Sequence, residues 1–582
     1  MKITIQLVLL LLICSLHEVI AQESGEYEAE YTVTLTGETL RPISNHLMGF
    51  NLVYSQESDQ IWQDGKVEGY LKDVNTSLLR WPGGTISTFY HWNDLTGKRP
   101  PWRDNWDPDN NVSVAAESEF MDLDEYISLI KSTGATPLLG INVDSGRRWD
   151  REQDGIDEAL ALMQYCKDND FDVTYWYLGN EAYHNTSNGG EKTAQQYANL
   201  INTYANAMRE IDPDIKVVAN WISGMTRSHI RSDYQTLMNI AGDNIDIIDT
   251  HHYWSFSGPS MENWLQHTPM RVFTGKTYIE EIAYFHEMMT DFGHPDTQLA
   301  ALEWNVGPIN NQQLNPHQVA LMQSEMMMEF LMGGMDFATF WPIQWPSGNV
   351  TRRTLIDRYN NNEAQPNLNL FRFFGQFQGG EVVKDHVTKS SPNILQFAAK
   401  DQQENVLRIA FLNKNTHGVK ATMNAMQIGD AILQSAQAYI LTDGGDQHEV
   451  NSIDLLEHGA DGISFVAQPL SLTMLTFDNI TLTSMEETGK NTELPENYKL
   501  HQNFPNPFNP STEISYQLST DSDVNFEVFN MLGQRVANLV NQRQAAGVHR
   551  ITFDASELPS GIYFYRLKAG TFMDSKKMML MK

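Results

Sequence analysis

Apolar and polar positions follow two distinct patterns in the first 480 residues. Between residues 41 and 375, short apolar runs alternate with longer amphipathic stretches. The short runs have the length and composition of strands. They are HLMGFNLVY (46–54), SLLRWPGG (77–84), TPLLGINV (136–143), VTYWYLGNE (173–181), KVVANWI (216–222), IDIIDTHHYW (245–254), TQLAALEWN (297–305) and FATFWPIQW (337–345).

The stretches between these runs have helical spacing. Examples are FMDLDEYISLIKSTG (120–134), GIDEALALMQYCKDND (155–170), TAQQYANLINTYANAMREI (193–211) and the Met-rich HQVALMQSEMMMEFLMGG (317–334). Eight strands that alternate with helices predict an α/β fold with a parallel (β/α)8 TIM barrel.

After residue 375 the pattern changes to short strands separated by Gly, Asn and Asp. These strands are NILQFAAK (393–400), NVLRIAFLNK (405–414), AQAYILTD (436–443) and LSLTMLTFD (470–478). The pattern predicts an accessory β-sandwich. An early segment, EAEYTVTLTG (28–37), is expected to add a strand to it.

The first residues have the features of a secretory signal peptide. Lys2 supplies the positive charge, Ile5 to Cys14 the apolar core, and Val19-Ile20-Ala21 a small-residue cleavage site. The apolar run is too short to span a bilayer, and no later segment looks transmembrane. We therefore predict an exported protein without a membrane span.

These patterns divide the chain into six segments. They are a signal peptide (1–21), an N-terminal sandwich strand (22–40), a catalytic barrel (41–375), a β-sandwich (376–480), a polar linker (481–497) and a small all-β module (498–582).

Charge narrows the choice of partners. Lys plus Arg number 40 and Asp plus Glu number 73, which gives a net charge of −33. Such a balance argues against nucleic acid as a partner. Cleavage after Ala21 leaves Cys166 as the single cysteine, so the cores must hold the fold without disulfides. No phosphate loop, dinucleotide fingerprint or zinc motif is present, so we predict no cofactor and no metal.

The C-terminal module carries specific motifs. NFPNPFNP (503–510) and LPSGIYFY (558–565) closely resemble the type A C-terminal sorting domain of the type IX secretion system. The resemblance implies the type IX machinery as a partner, export across an outer membrane, and a secreted or cell-surface location. A small carbohydrate-binding sandwich is the alternative reading of this module.

Chemistry-bearing residues cluster where the predicted barrel strands end. They are Arg80 and Trp81 on the second strand, Asn180 and Glu181 on the fourth, His251, Tyr253 and Trp254 on the sixth, and Glu303 and Trp304 on the seventh. Active sites of such barrels lie at these ends. Two Glu residues on one rim supply the carboxylic acid and the carboxylate that glycosidic cleavage needs.

Three motifs narrow the resemblance to a family. LLRWPGGTISTFYHWNDLTG (78–97), DTHHYW (249–254) and ALEWNVGP (301–308) are similar to segments of glycoside hydrolase family 51, the α-L-arabinofuranosidase group. The resemblance covers about residues 30–478. It implies a retaining mechanism with Glu303 as nucleophile and Glu181 as acid/base.

Further roles follow from this assignment. A Tyr253 hydroxyl would stabilise the charge of Glu303, and that charge would raise the pKa of Glu181. Asn180 would bind a sugar hydroxyl. The other candidate substrate-binding residues are His251, Trp254, Trp304, Arg80, Trp81 and Thr85. For His251 and Arg80 a supporting structural role competes with ligand contact.

Two positions depart from the family pattern. Thr85 and Val53 stand where the family has a sugar-binding Asn and Glu, so the chemistry is better defined than the sugar. The substrate is expected to be a plant or algal polysaccharide or its oligosaccharides. An endo-acting polysaccharidase of agarase, xylanase or glucuronidase type, a non-catalytic surface carbohydrate-binding protein, and a structural or adhesive surface protein stay open as alternatives.

Overall fold

The protein was examined as a computed structural model. The described residues are 27–92, 104, 106–107, 120–184, 192–255, 258–307, 314–345, 353–401, 403, 406–423, 437–442, 448–451, 457–459, 462–477, 498–500, 503, 508, 510–531, 533–556, 558–570 and 572–580. The predicted signal peptide and linker lie outside them. The chain forms two compact units, Met1–Ser484 and Met485–Lys582.

The first unit contains a closed barrel of eight strands, paired in chain order. A strand of another sheet, β1 (Tyr27–Pro42), precedes it. The barrel strands are β2 (His46–Asn51), β3 (Leu78–Trp81), β4 (Thr136–Ile141), β5 (Tyr175–Leu178), β6 (Lys216–Asn220), β7 (Ile247–Trp254), β8 (Gln298–Val306) and β9 (Phe337–Phe340). All neighbouring pairs are parallel, including β9 with β2, which closes the ring. Each of the eight apolar runs contains one strand, so the predicted TIM barrel is confirmed.

Helices connect the barrel strands. They are α1 (Asp59–Trp62), α2 (Lys66–Asp73), α3 (Leu123–Thr133), α4 (Ser145–Arg148), α5 (Glu152–Asp168), α6 (Ala194–Ile211), α7 (Ser228–Ala241), α8 (Met261–Leu265), α9 (Tyr278–Asp291), α10 (Pro316–Gly333) and α11 (Asn367–Gly375). The sequence sets several N-termini, because Asp122, Thr193, Thr277 and Asn315 each form a capping box.

The barrel core has two layers. Inward side chains such as Leu138, Val218 and Phe337 fill the centre, while outward side chains pack against the helices. Helix α10 is buried on nearly all sides because it lies between the barrel and the neighbouring sheet. Its Met-rich sequence suits this position, since Met side chains adapt to irregular gaps.

A second sheet of ten strands follows the barrel. Besides β1 it contains β12 (Glu381–Lys389), β13 (Ile394–Asp401), β14 (Val406–Asn413), β15 (Gly418–Met423), β16 (Gln437–Thr442), β17 (His448–Asn451), β18 (Glu457–Gly459), β19 (Gly462–Ala467) and β20 (Ser471–Phe477); the small hairpin β10 (Ile356–Asp357) and β11 (Glu363–Ala364) precedes it. Strand β1 lies between β12 and β15. Phe411 on β14 meets both Tyr31 on β1 and Phe465 on β19, so the sheet folds over itself as the predicted sandwich.

The second unit is all-β. Its strands are β21 (Lys499–Leu500), β22 (Ser511–Leu518), β23 (Ser522–Asn530), β24 (Arg535–Gln544), β25 (Gly547–Asp554), β26 (Gly561–Ala569) and β27 (Phe572–Leu580). They form sheets of three and four strands around a core that includes Tyr516, Phe526 and Tyr565. Within the part of the chain that the structure describes, no helix is long and apolar enough to cross a membrane.

Candidate active site

The end of β5 places Glu181 at the rim of the barrel. Beyond Leu178 the chain turns, with a φ of +73° at Gly179 and +45° at Glu181. The second value is unfavourable for a residue with a Cβ, and such strain is typical of functional sites. The Asn220 side chain holds the turn, because its Oδ1 accepts the Glu181 N–H at 2.6 Å. The Glu181 side chain keeps 24% of its surface exposed.

A β-bulge on β8 aims Glu303 into the same space. Asp249 on β7 pairs with Ala300, but His251 pairs with Glu303, so β8 carries one extra residue there. The N–H of Leu302 donates to Asp249 Oδ1 at 2.7 Å, and its C=O accepts from the Asn51 amide at 2.7 Å. These bonds satisfy backbone groups that the bulge removes from the ladder.

Arg80 is wholly buried beneath the two carboxyl groups. Its Nη1 donates to Glu303 Oε1 at 3.0 Å and to Asn51 Oδ1 at 3.1 Å. Its Nη2 donates to Asn180 Oδ1 at 2.7 Å. The guanidinium also lies 4.4 Å from the ring centre of Tyr177. The planar guanidinium of Arg80 therefore fixes the orientation of the Glu303 carboxylate and of the Asn180 amide.

Strand β7 supplies two inward side chains to the centre. Tyr253 donates its hydroxyl to Glu303 Oε2 at 2.8 Å. The Nδ1 of His251 lies 3.0 Å from Glu181 Oε1 and 3.5 Å from Glu303 Oε2, and its Nε2 lies 3.2 Å from Asp249 Oδ2. His251 thus stands between three carboxyl groups. We call Arg80, Glu181, Asp249, His251 and Glu303 the rim cluster.

The electrostatics of the rim cluster centre on His251. Burial lowers the pKa of this imidazole, but the charges of Glu303 and Asp249 outweigh burial and raise it to about 10. Burial raises the pKa of Glu303, against the opposing charges of His251 and Arg80. Burial also raises the pKa of Glu181, yet the hydrogen bond and charge of His251 prevail and hold that pKa below its ordinary value.

This direction for Glu181 differs from the sequence-based expectation. The charge of Glu303 was expected to dominate and raise the pKa of Glu181. His251 lies closer to Glu181 and carries the opposite charge, so the proton resides on the imidazole of the Glu181–His251 pair. The sequence places His251 on the rim but does not reveal this contact.

The same side chains bear on metal binding. Glu181, His251 and Glu303 offer atoms that lie within 4.8 Å of one another. An imidazole must lose its proton to coordinate a metal, so an ion at this position would compete with the proton that His251 shares with Glu181.

Four other predicted site residues lie apart from the rim cluster. Trp304 is fully buried against Phe330 and Phe340, and Trp81 stacks on Tyr126 in the core. Both placements differ from the expected sugar contact, because a ring enclosed by core side chains has no free face. Trp254 points outward and donates its Nε1–H to the Arg271 carbonyl at 3.2 Å. Thr85 is half-buried, in the otherwise buried turn Gly84–Thr88.

Three functional residues escaped the sequence analysis. Asn51 and Asn220 end the strands β2 and β6, Asp249 lies near the start of β7, and all three are buried. Asn220 donates to Asp249 Oδ2 at 2.7 Å and so joins the backbone of Glu181 to the partner of His251. In the sequence, each of these residues is a polar residue at an inward-facing position of an otherwise apolar strand.

Comparisons with known families bear on both units. A family model described as an alpha-L-arabinofuranosidase 1 domain matches residues 70–268, which include Glu181. A secretion system C-terminal sorting domain matches residues 502–581. The resemblance to α-L-arabinofuranosidases and the predicted sorting domain are thereby confirmed. The sorting domain indicates export through the type IX secretion system.

Curated relatives match over part of their length. An intracellular exo-alpha-(1->5)-L-arabinofuranosidase of Streptomyces lividans is 28% identical over 213 residues, which cover 34% of this chain and 30% of the relative. A probable alpha-L-arabinofuranosidase C of Aspergillus clavatus is 26% identical over 271 residues, or 40% and 49% of the two chains. The chain thus spans half or less of these relatives.

Solved structures share the fold. The alpha-L-arabinofuranosidase of Thermotoga maritima, in its arabinose complex, superposes with a TM-score of 0.57 at 18% identity, covering 77% of this chain and all of that one. CelM2, a bifunctional glucanase-xylanase from a metagenome library, superposes with a TM-score of 0.55 at 15% identity, covering 78% and 99%. At these identities the likeness establishes the barrel and sandwich architecture.

Proposed function

We propose that this protein is an exported retaining glycoside hydrolase, with Glu303 as nucleophile and Glu181 as acid/base. One observation carries the proposal: oxygens of the two carboxyl groups approach within 4.8 Å on the rim of the barrel. Retaining enzymes hold their carboxyl groups about 5–5.5 Å apart and inverting enzymes roughly 6.5–9.5 Å apart, so this close approach of one oxygen from each group supports the retaining arrangement without measuring the separation of the whole groups.

In the first step, a Glu303 oxygen would bond to the anomeric carbon while the glycosidic oxygen leaves. Arg80 donates to one oxygen of Glu303 and Tyr253 to the other, so these bonds favour the carboxylate form against burial and fix its orientation. As the covalent bond forms, the negative charge of Glu303 disappears. The donors that held this charge then face a neutral ester.

The leaving oxygen needs a proton, and the Glu181–His251 pair carries one. Transfer from His251 Nδ1 to Glu181 Oε1 spans a 3.0 Å hydrogen bond. Neutral His251 could keep its Nε2 proton toward Asp249, 3.2 Å away. Glu181 would pass a proton to the departing sugar and, in the second step, take one from the attacking water.

Sugar recognition would begin at Asn180. Arg80 occupies the Oδ1 of this amide, which leaves the Nδ2 hydrogens for a hydroxyl next to the reacting carbon. Such a bond can strengthen in the transition state. Among glycosides, the named relatives make an α-L-arabinofuranoside the first substrate to test.

Two recognition groups of the family are missing at Val53 and Thr85. At about 1–1.5 kcal/mol for each lost hydrogen bond, a terminal arabinofuranose would bind the transition state roughly 30- to 150-fold more weakly. Together with export, this favours a polymer as substrate. The second candidate is therefore an endo-acting polysaccharidase, and product sizing on arabinan, xylan and agar distinguishes the two.

Stereochemistry tests the mechanism. Proton NMR of a cleaved aryl glycoside should show a first-formed product with the anomeric configuration of the substrate. A 2-deoxy-2-fluoro glycoside with a good leaving group should add its sugar mass to the peptide that contains Glu303. An inverted first product, or a label on another residue, would overturn the assignment.

Variants separate the two roles. Glu181→Gln should recover activity on glycosides whose leaving group needs no proton, and azide should accelerate it further. Glu303→Gln should respond to neither change, because it lacks the nucleophile. An equal response of both variants would contradict the roles.

A further inference from the structure

A second cavity lies on the outer side of β7. It measures about 510 Å³, and its walls include His252, Trp254, Phe273, Tyr278 and Glu281. This volume is in the range of small-molecule sites, roughly 300–1,000 Å³. None of its wall residues belongs to the rim cluster, so the catalytic proposal leaves the cavity unexplained.

Strand β7 connects the cavity to the rim cluster. Side chains alternate along a strand, so Asp249, His251 and Tyr253 point into the barrel. His252 and Trp254 point the other way, where His252 meets Tyr278 on α9. Tyr253 donates to Glu303 and also lines the cavity. Tyr253 is therefore the residue that the cavity shares with the proposed nucleophile.

One wall of the cavity carries an aromatic platform. The Phe273 side chain is 61% exposed, which is unusual for a large apolar group, and the Arg227 guanidinium stacks 4.3 Å from its ring centre. Gly224 makes room for this ring, since a Cβ there would lie 2.5 Å from it. Asn263 and Gln266 add amide groups to the walls. Sugar rings bind such combinations of a flat apolar face and neutral polar groups.

The wall of the cavity also contains a buried carboxyl group. Glu281 is only 2% exposed, and its Oε1 accepts the hydroxyls of Thr226 at 3.0 Å and Thr274 at 2.7 Å. Among the described residues, its Oε2 has no hydrogen-bond partner. A buried acceptor without a partner is costly, and a sugar hydroxyl would satisfy it. A carboxylate on the ligand would instead be repelled.

The walls are held in place before any ligand binds. Trp254 donates to the Arg271 carbonyl at 3.2 Å, and Met270 N–H donates to Glu325 Oε1 at 2.8 Å. Lys414 of the sandwich donates to the His267 carbonyl at 2.6 Å. A pre-organised wall lowers the entropic cost of binding.

From this geometry we infer that the cavity binds a neutral sugar unit of the substrate, one that flanks the bond to be cleaved. This inference rests on the proposed function and adds a specificity site to it. Phe273 supplies the stacking surface and Glu281 the hydroxyl acceptor. The site would give a polymer or oligosaccharide an advantage over a small aryl glycoside.

A binding experiment tests the site without turnover. In a Glu303→Gln background, arabinotetraose and xylotetraose are titrated by calorimetry, with and without Phe273→Ala or Glu281→Gln. At least one tetraose should bind, and each added change should weaken its Kd roughly 3- to 10-fold. Tyr27→Ala is the control, because Tyr27 is another exposed ring with a stacked cation, on the sandwich.

The contrary outcomes are distinct. Absence of binding by both tetraoses, or a Kd that neither cavity variant changes, would overturn the inference. Binding of glucosamine that is stronger than binding of a neutral tetraose, and that Glu281→Gln abolishes, would also overturn it by showing a cation site.

Steady-state kinetics of variants that retain Glu303 give the second measurement. Phe273→Ala and Glu281→Gln should lower kcat/KM on debranched arabinan or xylan and leave kcat/KM on the matching aryl glycoside within about twofold. An equal fall on both substrates would indicate a structural role and overturn the inference. If the unmodified protein cleaves no glycoside, the proposed function fails, while the calorimetric result still decides whether the cavity binds sugar.

Discussion

Two groups of buried charges in this protein differ in how completely their atoms are paired. The rim cluster gathers three carboxyl groups around one guanidinium and one imidazole. The second group, which we call the helix cluster, consists of Glu325 on α10 and Lys414 on the sandwich. Both groups are taken out of water, and both therefore need partners.

In the helix cluster, Glu325 is saturated. Its Oε1 accepts from Met270 N–H at 2.8 Å, and its Oε2 accepts from Trp264 at 2.5 Å and from Lys414 at 2.8 Å. Burial raises the pKa of Glu325 and lowers that of Lys414, and each partner opposes the shift of the other. Glu325 has no oxygen left over for a ligand.

In the rim cluster, Glu181 is not saturated. His251 binds its Oε1, and among the described residues no hydrogen bond reaches its Oε2. Under the proposed function, this oxygen would be available to a substrate. The two clusters therefore differ in that both oxygens of Glu325 are bonded, whereas only one oxygen of Glu181 has a partner among the described residues.

Matched amide substitutions give the largest expected contrast. Glu303→Gln should lower kcat at least about 10³-fold, because a neutral amide cannot replace the carboxylate as nucleophile. Glu325→Gln should keep kcat at 25 °C and lower the free energy of unfolding by about 3–5 kcal/mol, since Lys414 loses its charged partner. Steady-state kinetics and urea unfolding check both, and a reversed pattern would contradict the comparison.

A double-mutant cycle sharpens the view of the helix cluster. Lys414→Met alone should cost about 3–5 kcal/mol of unfolding free energy, because it leaves Glu325 buried and unpaired. Combined with Glu325→Gln, it should cost clearly less than the sum of the single changes. Lys420→Met, a lysine of the sandwich that stacks on the exposed ring of Tyr27, is the control. Additive effects would mean that the two charges are not coupled.

Tyr253→Phe tests one donor of the rim cluster. Removal of the hydroxyl takes a hydrogen bond from Glu303 Oε2 and leaves the ring in place. A hydrogen bond to a charged group contributes about 1.5–3 kcal/mol, so we expect kcat/KM to fall roughly 10- to 150-fold with little change in Tm. A fall of less than twofold would remove Tyr253 from the proposed mechanism.

The pH dependence of stability tests the charge of His251. The pKa of His251 is about 10, against an ordinary value of 6.5. Its cation therefore stabilises the fold fully below pH 6.5, and the contribution is lost as the pH rises through about 10. Urea unfolding of the unmodified protein and His251→Gln should differ most at the acid end of this window. Burial raises the pKa of Glu57 to about 8, so Glu57 also titrates in this window. Both proteins contain Glu57, so the difference between their unfolding free energies reports on His251. A difference that is constant with pH would show that His251 is neutral.

The sequence predicted more of the fold than of the site. Apolar runs located all eight barrel strands, because a parallel barrel needs strands that are buried on both faces. Strand ends located Glu181, Glu303, His251 and Tyr253. The sequence alone could not show that Trp304 packs in the core, because a side chain at a strand end can point either into the barrel or toward the helices. The sequence analysis also did not single out Asp249, whose effect on the pKa of His251 depends on the distance between the two side chains on β7.

Strand β1 has a consequence for the order in which the chain is made. Leu35 pairs with Asp385, and Val33 pairs with Met423, so both neighbours of β1 leave the ribosome long after it. At about 5–20 residues per second, that delay is roughly 20–70 s. During this delay, the backbone donors and acceptors of β1 have no neighbouring strand to pair with. Unpaired strand edges of this kind promote pairing between molecules. A chain that stops before β12 would lack both neighbours of this strand.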